Sequence, residues 1–489
     1  MMKNILFYSL FIWSGIFITG CDQSIDSSKS YGLRFREDKT FIIAQFTDIH
    51  WSNSSPKCHE TLMSIHSVLT EEKPDLVILT GDIVTDDPSK KGWARIAKVF
   101  EKNQVKWTVV LGNHDSEPDI KRAEIFNYLK TKPFFIGEVG NVTGVGNFDL
   151  PIIGSSSDKV EAVVYCMDSN EYGINPKITD YDWIHYDQIE WYRNLSDSYR
   201  QTNGDRAIPS LAFFHIPLPE YKELLSDSLK VGLQYEGVAS SDLNSGLFTS
   251  MIEKQDVMGV FVGHDHNNNF IGVYKGVGLG YGQRSGADSY GKIPIGGRII
   301  RLNEGSFSYD SWIRTHKGRD FMFHYPSGMP SITDTTEVLS SMNPGDVVNG
   351  IYYRYYEGQF ENVSSIDSGQ LKGKGVLPNF GIDKALVKDY YGFVFEGWIK
   401  IPHRAFYRFY TYTDDGSVLT IDDCVVVNND GAHGVVRRDG LVALDAGYHK
   451  IRLEYFESYM GQKLDVGMSS VYSSEMVIPD NMLYVKRSE

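Results

Sequence analysis

A chain of 489 residues with 42% hydrophobic and 23% charged residues has enough apolar material for two or more globular domains, which excludes a disordered or fibrous protein. Its formal net charge of −15 opposes non-specific binding to nucleic acid or to an anionic membrane surface, so no nucleic-acid partner is expected. Bound metal cations can still outweigh that balance locally.

The chain opens on Lys3 and an apolar run from Ile5 to Ile18, the length of a signal-peptide core and short for a membrane span. The run ends Ile18-Thr19-Gly20-Cys21, which resembles a bacterial lipobox with Cys21 as the lipidated first residue of the mature protein. Residues 1–20 are therefore read as a lipoprotein signal peptide and 21–33 as a tether. The expectation is an exported cell-envelope lipoprotein, facing the periplasm or the cell surface and touching the membrane through its lipid anchor only. Cys58, Cys166 and Cys424 remain; buried free thiols are expected, and a disulfide between two of them stays open.

Thr40 to Thr47 reads as a strand ending in Asp48-Ile49-His50, where the i and i+2 side chains fall on one side of an extended backbone. A helix over His59–Glu72 follows, with Leu62, Ile65, Val68 and Leu69 on one face, and Lys73-Pro74 stops it. Asp75 to Thr80 is a second strand, ending Gly81-Asp82. A helix from about Trp93 to Lys102 leads to a third strand, Thr108-Val-Val-Leu, which ends Gly112-Asn113-His114-Asp115. The pattern loosens between Gly137 and Asn147, and Val160 to Cys166 is the next strand. An insertion from Asn170 to Asp182 then precedes a helix containing Gln188 and Trp191. Two more strands end in polar groups: Ser210 to Phe214 in His215, and Val257 to Val262 in Gly263-His264-Asp265-His266. Strand–helix alternation of this kind indicates an α/β fold, whose strand ends are where ligands bind.

Asp48, His50, Asp82, Asn113, His215, His264 and His266 form a carboxylate, imidazole and amide set without thiolate. Such donors suit Mn, Fe or Zn ions. Seven donors exceed what one catalytic zinc takes and match two metal ions sharing a carboxylate, an arrangement suited to cleaving phosphate esters.

These five blocks, in this order, resemble the signature of the calcineurin-like metallophosphoesterases over about Arg34 to His316. The resemblance implies a four-layer α/β sandwich, two mixed sheets packed together with helices outside. It implies that Asp48, His50 and His266 hold one metal, that Asp82 bridges, and that Asn113, His215 and His264 hold the second. His114 would stabilise the transition state or protonate the leaving group, with Asp115 orienting it, while a metal-bridging hydroxide attacks phosphorus in line. The run Gly81-Asp-Ile-Val-Thr-Asp86 lacks the tyrosine that purple acid phosphatases carry there, so the chain resembles their non-purple relatives and no charge-transfer colour is expected. Asn267, and Arg284 in the glycine-rich loop Gly276–Gly297, are candidate substrate contacts.

After about Arg319 the character changes. Residues 319–349 read as a linker and 350–485 as short alternating strands of a β-sandwich. Tyr355-Tyr-Glu-Gly-Gln-Phe360, Tyr410 to Asp422 and Leu444 to Tyr455 resemble the protective-antigen-type domain. That resemblance implies that Asp414 and Asp415 bind Ca²⁺ and, through it, carbohydrate. The expected activity is phosphomonoester hydrolysis on a phosphorylated small-molecule or glycan-linked substrate, by a phosphoesterase domain spanning 34–318. The alternatives are a phosphodiesterase, or a catalytically inactive surface glycan-binding lipoprotein.

Overall fold

The structure, a computed structural model, describes residues 31–487 except 228 and 333–335. Cys21 and the signal segment lie outside the described residues. The end of the expected tether is folded: Leu33 is buried, and Phe35 and Leu33 exchange backbone hydrogen bonds with Ile153.

The N-terminal region runs β1 (Thr40–Phe46), α1 (Cys58–Glu72), β2 (Leu76–Thr80), α2 (Ser89–Lys102), β3 (Lys106–Val110), α3 (Arg122–Leu129), β4 (Phe148–Ile153) and β5 (Val160–Cys166). It continues α4 (Tyr186–Thr202), β6 (Ser210–Phe213), α5 (Leu247–Lys254), β7 (Val257–Val262), β8 (Ile271–Tyr274), β9 (Val277–Tyr281), β10 (Gly296–Asn303), β11 (Tyr309–Thr315), β12 (Gly318–Tyr325) and β13 (Met329–Pro330). The first sheet has the order β13-β12-β11-β10-β1-β2-β3 and the second β4-β5-β6-β7-β9-β8, each mixing parallel and antiparallel pairs.

Alternation along the strands sets the layers. In β5, Ala162, Val164 and Cys166 join the core shared with the first sheet, while Val163 and Tyr165 face the α4–α5 side with Tyr192 and Met251. In β6, Leu211 and Phe213 face the first core, while Ala212, and Phe214 just past the strand, face the second. The four-layer sandwich follows, with β2 buried along its whole length.

Helix α2 begins a turn earlier than its apolar face predicts, because the Asp119 carboxylate accepts the Ser89 N–H (2.9 Å). The short helices α3 and α5 and the strand β4 were not legible in the sequence pattern. The glycine-rich stretch after Lys275 is not a loop throughout. Its residues Val277–Tyr281 form β9, where a Cβ at Gly278 would sit 2.0 Å from the Tyr309 hydroxyl. Glycine is there because another side chain occupies its space.

The boundary at 318 also moves. β12 and β13 extend the first sheet to Pro330, and Leu339 exchanges backbone hydrogen bonds with Ala443 and Asp445 of the sandwich, so little of the expected linker is free of both domains. The C-terminal domain is all β. Strands Ile351–Glu357, Tyr391–Ile401 and Gly447–Glu457 lie in its larger sheet, and Ala405–Asp414 lies at the centre of a four-stranded one. Phe393, Phe395, Tyr407, Phe409, Leu453 and Tyr455 fill the space between them. Cys58, Cys166 and Cys424 are free, and Cys424 is exposed rather than buried, since it opens an edge strand.

His449 is buried in this domain, with Nδ1 against Asp422 and Nε2 against the Asp445 carbonyl. Burial alone would lower its pKa, but the Asp422 and Asp445 contacts raise it above the ordinary value. The folded state therefore binds the proton more tightly than the unfolded chain. The resulting stability is fully present below about pH 6.5 and is lost as pH rises through the raised folded value. Thermal unfolding of the sandwich should show its transition moving down as the pH is raised above about 6.5. The His449→Gln variant should lack that pH dependence.

Candidate active site

The polar strand ends of both sheets meet at one point. Asp48 and His50 follow β1, Asp82 follows β2, Asn113 and His114 follow β3, His215 follows β6, and His264 and His266 follow β7. Asp48, His50, Asp82 and His264 all have positive φ (51°, 45°, 54° and 78°), which turns the chain sharply off each strand and swings the side chains inward. Two glycines make the approach possible. A Cβ on Gly81 would lie 2.3 Å from His215 Nδ1, and one on Gly112 2.2 Å from Asp82 Oδ1.

One ligand atom from each of Asp48, His50, Asp82 and His266 lies within 4.8 Å of the others, and so does a second set of Asp82, His215 and His264. Asp82 belongs to both. Its Oδ2 is 3.2 Å from His215 Nε2 and 3.7 Å from His50 Nε2, while Oδ1 accepts the His114 N–H (2.9 Å). His50 and His266 bring their Nε2 atoms to 3.1 Å, and His264 Nδ1 lies 3.3 Å from His215 Nε2. The outer nitrogens are tied down: His215 Nδ1 to the Thr80 carbonyl (2.7 Å) and His266 Nδ1 to the Tyr290 carbonyl (3.1 Å). Such bonds fix the tautomer and aim the other nitrogen at the pocket.

The electrostatics are those of a cation site. Burial would raise the Asp82 carboxyl, but the His215 ring more than reverses this and holds it well below the usual range. Burial, and then the neighbouring His215, push His264 down to about 3. His215 is driven up to about 9, because Asp82 outweighs the effect of burial. Histidine nitrogens packed this closely cannot all be protonated. Among the seven candidate ligands, two buried atoms have no hydrogen-bond partner, Asn113 Oδ1 and His264 Nε2. Both belong to the Asp82, His215 and His264 side, where unpaired acceptors beside a carboxylate fit a metal ion; on the other side two carboxylates converge with two histidines, a donor set that fits one as well.

Three sequence-derived roles need correction. Asp115 does not reach the His114 ring. It is fully buried, and its two oxygens accept the backbone N–H groups of Gly112, Asp82, Ile83 and Val84. Burial and Asp82 raise it to about 6. Asp115 thus ties the β2 and β3 turns together. Asp115→Asn, which points an amide N–H₂ at these donors, should cost about 1–3 kcal/mol in chemical denaturation. Arg284 is turned into its own loop, donating to the carbonyls of Ile293, Gly286 and Ser289, so it does not face a phosphate. Asn267 likewise serves loop structure, its Oδ1 accepting the Lys292 N–H (2.6 Å) and its N–H bonding Glu236.

Other groups take these places. The His114 ring is partly exposed at the mouth of the pocket and lies 5.7 Å from His50, centroid to centroid. Its Nδ1 meets Glu117 Oε2 at 2.7 Å, three residues on. The Tyr172 hydroxyl, from the insertion after β5, donates to Glu117 Oε1 (3.0 Å) and accepts from Asn113 Nδ2 (3.0 Å). Arg122 braces the turn from below, donating to the Gly112 carbonyl (2.7 Å) and pairing with Asp168. The i, i+3 spacing of His114 and Glu117 is a signal a sequence reading could have used; nothing local marks Tyr172.

In the C-terminal domain Asp414, Asp415 and Glu457 place one carboxylate oxygen each within 4.8 Å of the others. Asp415 accepts the N–H groups of His433 and Ser458 (both 2.7 Å). Burial, and then Asp415 and Asp414, push Glu457 up to about 8, and its Oε1 is buried without a partner. Three converging carboxylates with an unpaired oxygen fit a hard cation such as Ca²⁺.

Comparison with known proteins agrees with both domains. The calcineurin-like phosphoesterase model matches residues 41–268 and the PA14 domain model residues 376–483. An Arabidopsis thaliana protein named probable inactive purple acid phosphatase 29 is 33% identical over 53% of this chain and 75% of its own length. Phosphatase DCR2 of Saccharomyces cerevisiae is 28% identical over 60% of this chain and 57% of its own. A solved dimetal phosphatase from Danio rerio covers 58% of this chain and 98% of its own, with 11% identity and a TM-score of 0.42. The chain belongs to the calcineurin-like phosphoesterases, with a PA14 domain following the phosphoesterase domain.

Proposed function

We propose that this protein is a two-metal phosphohydrolase acting on phosphomonoesters, exported and held at the cell envelope through Cys21. The observation that carries the reading is the Asp82 carboxylate, shared between two clusters of buried donors. Asp48, His50 and His266 would hold one ion with Asp82, and Asn113, His215 and His264 the other. The oxygen and nitrogen donors suit Mn, Fe or Zn. Two such ions, when bound, polarise phosphate oxygens and lower the pKa of water. The chain's own contribution is positional. The turns after the strands hold the donors before any ligand arrives, so little reorganisation is needed. His114 Nδ1 is engaged by Glu117, which leaves Nε2 facing the leaving oxygen of an ester to give it a proton.

The PA14 domain supplies the second half of the reading. Asp414, Asp415 and Glu457 would hold Ca²⁺ and with it sugar hydroxyls, keeping the phosphoesterase domain near glycan. The word inactive in the Arabidopsis relative's name supports a rival, a glycan-binding protein without turnover. Protein beginning at Asp22 and loaded with Mn²⁺ or Zn²⁺ should bind two metal ions and hydrolyse p-nitrophenyl phosphate faster than its bis ester. Preference for the bis ester would make it a phosphodiesterase. Absence of bound metal and of turnover would favour the rival.

A further inference from the structure

The metal-ligand clusters are flanked by tyrosines whose hydroxyls are bonded but whose rings stay partly exposed. Tyr172 is 46% exposed, lies edge-on to His114 (6.3 Å between centroids) and stacks on Tyr181 (6.0 Å, 25°). Tyr181 in turn meets His264 edge-on at 4.6 Å. On the other flank Tyr290, 58% exposed, lies over His266 (4.0 Å, 26°). Exposed rings beside a reactive centre gain most by being covered by a ligand.

The charged partners of these rings are carboxylates. The Tyr172 hydroxyl donates to Glu117 (3.0 Å) and the Tyr290 hydroxyl to Glu236 (3.3 Å). The two arginines near the ligand turns, Arg122 and Arg284, are spent on backbone carbonyls and on Asp168. A second phosphate on the substrate would meet acceptors where it needs donors. A sugar ring would instead find a flat apolar surface for its C–H face and, in Glu236, a carboxylate acceptor for its hydroxyls.

We infer that the alcohol part of the substrate is a sugar, its ring laid on Tyr172 and bordered by Tyr290 and Glu236. This rests on the phosphomonoesterase reading and adds the substrate class to it. Because His114 faces the leaving oxygen, the leaving group lies on the Tyr172 side, which makes Tyr172 the platform.

The test compares hexose 6-phosphate, glycerol 3-phosphate and adenosine triphosphate as substrates of the Zn²⁺-loaded full-length chain. The sugar phosphate should exceed glycerol phosphate in kcat/KM by about tenfold, the scale of one ring contact. Tyr172→Phe, which keeps the ring, should preserve that ratio, and Tyr172→Ala should bring it towards one. In a chain with Tyr172 intact and Asp414→Asn weakening the C-terminal carboxylate cluster, saturation transfer from tyrosine ring protons to the sugar C–H protons should be seen by NMR, so the test survives a Tyr172 variant that folds poorly. An unchanged ratio in Tyr172→Ala, no transfer to the sugar, or faster turnover of the triphosphate would overturn the inference. Equal turnover of the two monoesters would overturn it while leaving the phosphomonoesterase reading intact. Hydrolysis of neither monoester would overturn both.

Discussion

Asp82→Asn is expected to lower turnover at least about a hundredfold and to reduce bound metal from two ions towards one. The side chain keeps its size, and Oδ1 can still accept the His114 N–H (2.9 Å), so the turn should persist. What disappears is the charge and the second acceptor oxygen that faces both His215 (3.2 Å) and His50 (3.7 Å). Without it, two groups of donors remain with nothing common between them. Metal analysis and p-nitrophenyl phosphate turnover on the same preparation check this. Two ions retained with unchanged turnover would remove Asp82 from the centre. The variant should also gain less thermal stability from added metal, because ions that bind only the folded state stabilise it in proportion to their affinity.

The positions that converge were legible because their local sequences have little freedom. Gly81 and Gly112 precede Asp82 and Asn113 at the close approach of two strand ends, and a side chain at either would strike a neighbouring residue. Apolar strands followed by glycine and a polar cluster therefore marked the pocket from the chain alone. The direction of a side chain leaves no such trace. Asp115 follows His114 directly, and only the positions of four backbone N–H groups on two turns show that it points away from the ring. Arg284 reads as a phosphate contact because it lies in a glycine-rich segment, but the carbonyls of Ile293 and Ser289 in that segment take its N–H groups. Short elements failed for another reason. Helices α3 and α5 span 8 residues each, too few turns for an apolar period to stand out. β9 failed because its glycines read as a loop, although Gly278 is made necessary by Tyr309 and Gly280 packs on Ile271 and Phe261.

His114→Ala should leave both metal positions filled yet lower turnover by about 10²–10⁴-fold, the range for loss of a positioned proton donor. None of the donors that meet within 4.8 Å in the two clusters comes from this side chain, so metal content should not follow activity. The loss should depend on the ester. p-Nitrophenolate leaves without help, whereas an alkoxide needs its proton, so alkyl phosphates should lose more than aryl ones. An equal loss for both would mean that His114 stabilises the phosphoryl oxygens rather than protonating the leaving group. Glu117→Gln separates orientation from chemistry. Glu117 is about half exposed, so its ion pair with His114 adds little to stability. Its contribution is to hold Nδ1 and, through Tyr172, the far side of Asn113. Turnover of Glu117→Gln should therefore fall roughly ten- to a hundredfold, less than for His114→Ala, with unfolding unchanged. The two changes act on one proton transfer, so the double variant should be no slower than His114→Ala alone. Additive losses would place Glu117 in contact with the substrate instead of behind the histidine.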